Sequence, residues 1–117
     1  MKFGGTRIGT IHLKRDTCYR YWGYLKLNEP LDTDSRATAG LVWQNEFGPQ
    51  PGITCNSPGG NGFITTGQTS CYTRRISRDD GIFTFQAFAH EDFQNLGEGP
   101  WVVVAQGKTV QVSVEGR

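Results

Sequence analysis

The sequence predicts an all-β fold: a single-domain antiparallel β-sandwich or barrel of about seven short strands, with at most one short helical turn. Three observations carry this expectation. Several segments alternate apolar and polar residues with the period of two that a half-buried strand requires. Clusters of Gly, Pro, Asn and Asp separate those segments at short intervals. No run shows the 3.6-residue apolar spacing of a long amphipathic helix. The 117 residues suit one domain spanning residues 1–117, large enough to bury a core.

The first strand is expected in TRIGTIHLK (6–14), with Ile11 and Leu13 on one side and Thr10 and His12 on the other. CYRYWGYLKL (18–27) is rich in β-formers, and alternation divides it into two faces. Tyr19, Tyr21, Gly23, Leu25 and Leu27 form the core side, while Arg20, Trp22, Tyr24 and Lys26 form the other. RATAGLVWQNEF (36–47) has its apolar centre at Leu41, Val42 and Trp43. Asp80-Gly81 divides two β-rich runs and reads as a tight hairpin turn. A second hairpin is expected about Gly107-Lys108. Its first arm, Trp101 to Ala105, is apolar on both faces and so predicts a central strand; its second arm points Val110, Val112 and Val114 inward. NEPLDTDS (28–35) and FGPQPGITCNSPGGNG (47–62) read as loops, and HEDFQNLGEGP (90–100) as room for one helical turn ended by Gly97 and Pro100.

The C-terminal third resembles a known family. SRDDGIFTFQAF followed by GEGPWVVVAQGKTVQVSV is similar to the prealbumin-like sandwich of carboxypeptidase-regulatory-like domains. Asp80, Gly81, Phe83 and Phe85 take the place of its turn and aromatic strand. Gly99, Trp101, Val102 and Val104 take that of the next strand, and Gly9-Thr10-Ile11 that of the opening one. The resemblance covers roughly the last forty residues and implies a sandwich; such folds serve accessory, adhesive and binding roles alike.

Composition narrows the function classes. With 36% hydrophobic and 20% charged residues the chain has the makeup of a folded domain, and its net charge of +1 lacks the basic excess of an extended nucleic-acid footprint. No apolar run reaches the length of a membrane span. The N-terminal MKFGGTRIGTIHLK has neither an apolar core segment nor a small-residue cleavage site. The expected location is therefore cytoplasmic, the alternative being a mature secreted domain if Cys55 and Cys71 are disulfide-bonded. The three cysteines leave at least one thiol unpaired in a monomer.

No motif for catalysis or metal binding emerges. The two histidines, His12 and His90, are far apart, and neither C-x-x-C nor H-x-x-x-H spacing occurs. Asp32-Thr33-Asp34-Ser35 starts like a calcium loop but lacks the following glycine and distal glutamate. Gly59-Gly60-Asn61-Gly62 runs into Phe63 without the Gly-Lys-Ser/Thr ending of a phosphate loop. No cofactor and no metal are expected.

The informative stretch is the strand 18–27. A rigid strand that presents Trp22 and Tyr24 between Arg20 and Lys26 offers ring faces for stacking and cations for hydroxyl, carboxylate or phosphate groups. The expected function is a small non-catalytic binding module, with Arg20, Trp22, Tyr24 and Lys26 as ligand-binding residues and Trp43 as a wall. Its partner would be a polar small molecule, a glycan or a protein; neither a membrane nor nucleic acid is expected. The alternatives are an oligomeric structural protein that uses the same face between subunits, and a small enzyme acting on a polar metabolite through a histidine or cysteine.

Overall fold

Strand pairing follows the alternating segments closely. The computed structural model describes residues 2–3, 6–77, 82, 84–95 and 98–113. These contain twelve strands: β1 (Lys2–Phe3), β2 (Thr6–Arg7), β3 (Gly9–Arg15), β4 (Arg20–Leu27), β5 (Ser35–Asn45), β6 (Gly48–Pro49), β7 (Ile53–Thr54), β8 (Ser70–Tyr72), β9 (Ile76–Ser77), β10 (Thr84–Phe93), β11 (Val102–Lys108) and β12 (Val112–Ser113). The count exceeds seven because short pairings of two or three residues flank the five long strands. Two antiparallel sheets curl around the core as a half-barrel. The larger has the order β2-β1-β11-β10-β5-β6, with β12 on β10 and β7 on β5; the smaller has the order β3-β4-β8, with β9 on β4.

The inward residues of both sheets meet in two apolar clusters. Leu25 and Leu27 of β4 pack with Ala37 and Ala39 of β5, Ala89 of β10 and Ile64. Tyr21 of β4 packs with Leu41, Ile76, Ile82 and Phe85, its ring stacked on that of Phe85 at 4.3 Å. Each cluster draws on both sheets, so neither sheet has a core of its own and the two form one unit.

Several expectations change. Gly107-Lys108 is not a turn: Gly107 pairs with Ala89 and Lys108 with Phe88 inside β11. β12 then pairs with the start of β10, at Thr84 and Phe85. The chain thus runs on along the same edge of β10, because Thr109 bridges the break by donating its N–H to the Ala87 carbonyl at 2.9 Å. Val110 is 79% exposed rather than inward. Trp101, Val102 and Val103 are exposed as well, since among the described residues only the two-residue β1 covers the far edge of β11, at Gln106. The stretch 90–93 completes β10, and the turn expected within 90–100 starts only at Asn95, whose carbonyl accepts the Glu98 N–H at 2.9 Å. Tyr19 lies in a turn at φ 57°, outside β4, and is exposed. The Asp80-Gly81 turn, with Phe83, Gly97 and Val114, lies outside the described residues.

The loop 55–71 is closed by a Cys55–Cys71 disulfide, with both cysteines buried and their Cα atoms 6.0 Å apart. Cys55 follows β7 of the larger sheet, and Cys71 sits in β8 of the smaller. The bridge therefore joins the sheets. The Ala39 N–H lies against both sulfurs, at 3.3 and 3.2 Å.

Candidate functional site

The β3-β4-β8 sheet turns one face to the core and the other outward. Along β4 the residues Tyr21, Gly23, Leu25 and Leu27 are buried; Trp22 and Tyr24 are half-buried and Arg20 and Lys26 exposed. The alternation read from the sequence thus holds from Arg20 to Leu27.

Register assembles the outer face. Tyr24 stands opposite His12 of β3 and Tyr72 of β8, so three rings lie in one row across three strands. At a strand spacing of about 4.8 Å such a row is roughly 10 Å wide. The His12 and Tyr24 centroids are 5.9 Å apart. Trp22 stands opposite Lys14 in the next row. The Arg75 guanidinium stacks on the Trp22 ring at 4.3 Å, and the Lys14 ammonium lies 5.5 Å from the Tyr24 centroid. Lys26 donates to Thr69 Oγ1 at 3.1 Å, which fixes its ammonium at the far end of the face.

One carboxylate, Asp16, organises the near end. It accepts Arg20 Nε at 2.8 Å, Arg75 Nη1 at 3.3 Å, and the N–H groups of Cys18 and Arg20. These bonds favour its charged form, the Arg20 N–H most, and hold its pKa below the ordinary 3.8 against a smaller desolvation effect. Among the described residues, four cations, Lys14, Arg20, Lys26 and Arg75, thus surround the rings with one anion, Asp16, among them.

Trp43 is not part of this face. It belongs to β5 in the other sheet and packs toward the core, 6.5 Å from Phe85. The glycine-rich loop does border the face: Asn61 accepts the Tyr72 N–H at 2.8 Å through its side chain. Tyr72, Lys14 and Arg75 join this face from outside β4, so the alternation of β4 alone does not reveal them. The alternation of His12 and Lys14 along β3 was a usable signal; the contribution of Tyr72 and Arg75 depended on knowing which strand pairs with β4.

A second polar cluster lies on the larger sheet, where Asp92 of β10 stands opposite Arg36 of β5. Asp92 is buried and accepts Arg36 Nε at 3.1 Å while bonding His90 Nδ1 at 2.8 Å. Arg36 also stacks against Phe63 at 4.6 Å and Trp101 at 4.2 Å. A carboxylate that orients an imidazole is a common part of acid-base sites. Here, among the described residues, no hydroxyl or thiol is hydrogen-bonded to the His90 ring. Among the described residues no group of three or more His, Cys, Asp or Glu side chains is placed to hold a metal ion. Among the described residues no helix is long and apolar enough to cross a membrane.

No known family profile and no solved structure matches the chain. A protein of Bacillus subtilis (strain 168) designated "Uncharacterized protein YjfA" is 37% identical over 70 residues, which is 59% of this chain and 43% of that protein. The chain thus spans less than half the length of this relative.

Proposed function

We propose that this protein is a non-catalytic binding module that works in an oxidising compartment and recognises an acidic glycan through the outer face of β3-β4-β8. The observation that carries the reading is the row His12–Tyr24–Tyr72, flanked by Trp22 and four cations. Flat rings stack on the apolar faces of sugar rings, and cations beside them select carboxylate-bearing sugars over neutral ones. The buried Cys55–Cys71 bridge supports the compartment, because such bonds persist where the medium is oxidising.

The test is calorimetric titration with oligomers of a uronic acid and with neutral glucose oligomers of equal length. Trp22→Ala and Tyr24→Ala should abolish binding of the acidic oligomer and keep the near-ultraviolet spectrum of the core. Equal affinity for both oligomers, or binding that survives both substitutions, would refute the assignment. Variants that unfold or change oligomeric state would instead mark this face as core or as a subunit interface.

A further inference from the structure

Away from the aromatic face, the two sheets part at one end and leave a cleft of about 750 Å³. That volume lies within the usual range for small-molecule sites. Its walls are apolar: Ile8, Leu27 and Leu31 on one side, Phe93 and Val104 on the other. Leu27 and Leu31 are buried, whereas Phe93 is 40% exposed. The register shift between Glu91 and Asp92 inserts Val104 as an extra residue of β11, and Val104 lines the cleft.

The wall is built in advance. The crossing from β4 to β5 is pinned at three points: the Asn28 N–H donates to the Ile8 carbonyl at 2.9 Å, the Leu31 N–H to Gln68 at 3.0 Å, and the Gln94 N–H to Asp34 at 2.9 Å. Asn28 adds a side-chain bond to the Arg7 carbonyl at 3.0 Å. A ligand entering here would find these groups already ordered, which lowers the entropic cost of binding.

The charges in the cleft are unbalanced. Among the described side chains, Glu29, Asp32 and Glu91 line it against Arg7 alone. Glu91 follows Ala89 on the inward side of β10 and is half-buried; no buried side-chain oxygen among the described residues lacks a hydrogen bond, so its carboxylate, which pairs with no described residue, is reached by solvent through the cleft. Burial raises its pKa above the ordinary 4.5, and repulsion from Asp32 and Asp92 adds to this. An uncompensated carboxylate beside apolar walls is complementary to a cation with an apolar body.

We propose that this cleft binds an amphipathic organic amine, its ammonium group against Glu91 and Asp32 and its apolar body against Leu27, Leu31, Phe93 and Val104. The site is separate from the aromatic face, so the failure of either assignment leaves the other standing.

Three probes of one shape test this: phenethylammonium, 2-phenylethanol and 3-phenylpropanoate, each titrated into 15N-labelled protein at pH 7 and followed by amide shifts. The ammonium ion should bind about tenfold more tightly than the alcohol, as one partly screened ion pair predicts, with the largest shifts at Glu91, Phe93 and Val104. Glu91→Gln should bring the ammonium ion to the affinity of the alcohol and leave the alcohol unchanged. The retained alcohol affinity shows that the apolar walls are intact. Equal affinity for all three probes, preference for the carboxylate, shifts centred on Trp22 and Tyr24, or no saturable shift would each overturn the proposal.

Discussion

A Cβ atom placed on Gly23 would stand 2.6 Å from the carbonyl oxygen of Gly40. Gly23 belongs to β4 and Gly40 to β5, so this contact sets how closely the two sheets approach beneath Trp22 and Tyr24. The obstructing atom is backbone, which cannot rotate aside. Gly23→Ala should therefore destabilise the fold by about 3 kcal/mol, at the upper end of overpacking costs. Urea unfolding measures this, and a change below about 0.5 kcal/mol, the usual limit for innocuous substitutions, would mean that the sheets separate easily.

The Cys55–Cys71 bridge joins the sheets at a second place. The chain-entropy estimate for a loop of this length is about 3 kcal/mol. A Cys55→Ala/Cys71→Ala variant should lose at least that much, because it also opens space in the buried cluster around Leu25 and Ile64. Alkylation of native protein followed by intact mass should find one reactive thiol, the exposed Cys18.

Two carboxylates give stability opposite dependences on pH. The folded-state pKa of Asp16 lies below 3.8, so its contribution is fully present above that value and is lost as pH falls through the folded pKa. The folded-state pKa of Glu91 lies above 4.5, so its ionisation costs stability as pH rises from 4.5 through the folded pKa. Asp16→Asn should accordingly have a lower Tm than the parent at pH 6, with the gap closing toward pH 2. Glu91→Gln should have a higher Tm at pH 7, with the gap gone below pH 4. Thermal scans across this range check both signs.

Asp92 holds Arg36 and His90 together. Asp92→Ala should cost about 2 kcal/mol, less than a fully buried ion pair because the Arg36 side chain retains some exposure. The Arg36→Met/Asp92→Leu double variant should recover most of that loss, since it removes both charges and keeps an apolar chain against Phe63 and Trp101. Chemical denaturation of the two variants provides the comparison.

Where one strand's own alternation decides the outcome, the residue pattern was sufficient. From Arg20 to Leu27, burial of every second side chain follows from the pleat alone, and that placed Arg20, Trp22, Tyr24 and Lys26 on one outward face. The short pairings β6 and β7 were hidden in the 47–62 loop, because strands of two residues have no period to read. The two-sided apolar run of β11 suggested a central strand. Whether such a strand is covered depends on its neighbours, and β1 covers only one end of it.

The sequence by itself determined an all-β chain, the two faces of β4 and the separation of its histidines from any metal-binding spacing, because these depend on residue type and local period. Only the tertiary structure decided that Tyr72 and Arg75 join the aromatic face, that Trp43 faces the core, that the cysteine bridge spans two sheets and that Glu91 reaches a cleft with Phe93 and Asp32. These juxtapositions depend on register and on sheet-to-sheet packing. Both are set by the burial of the whole apolar surface at once, which no single stretch of the sequence encodes.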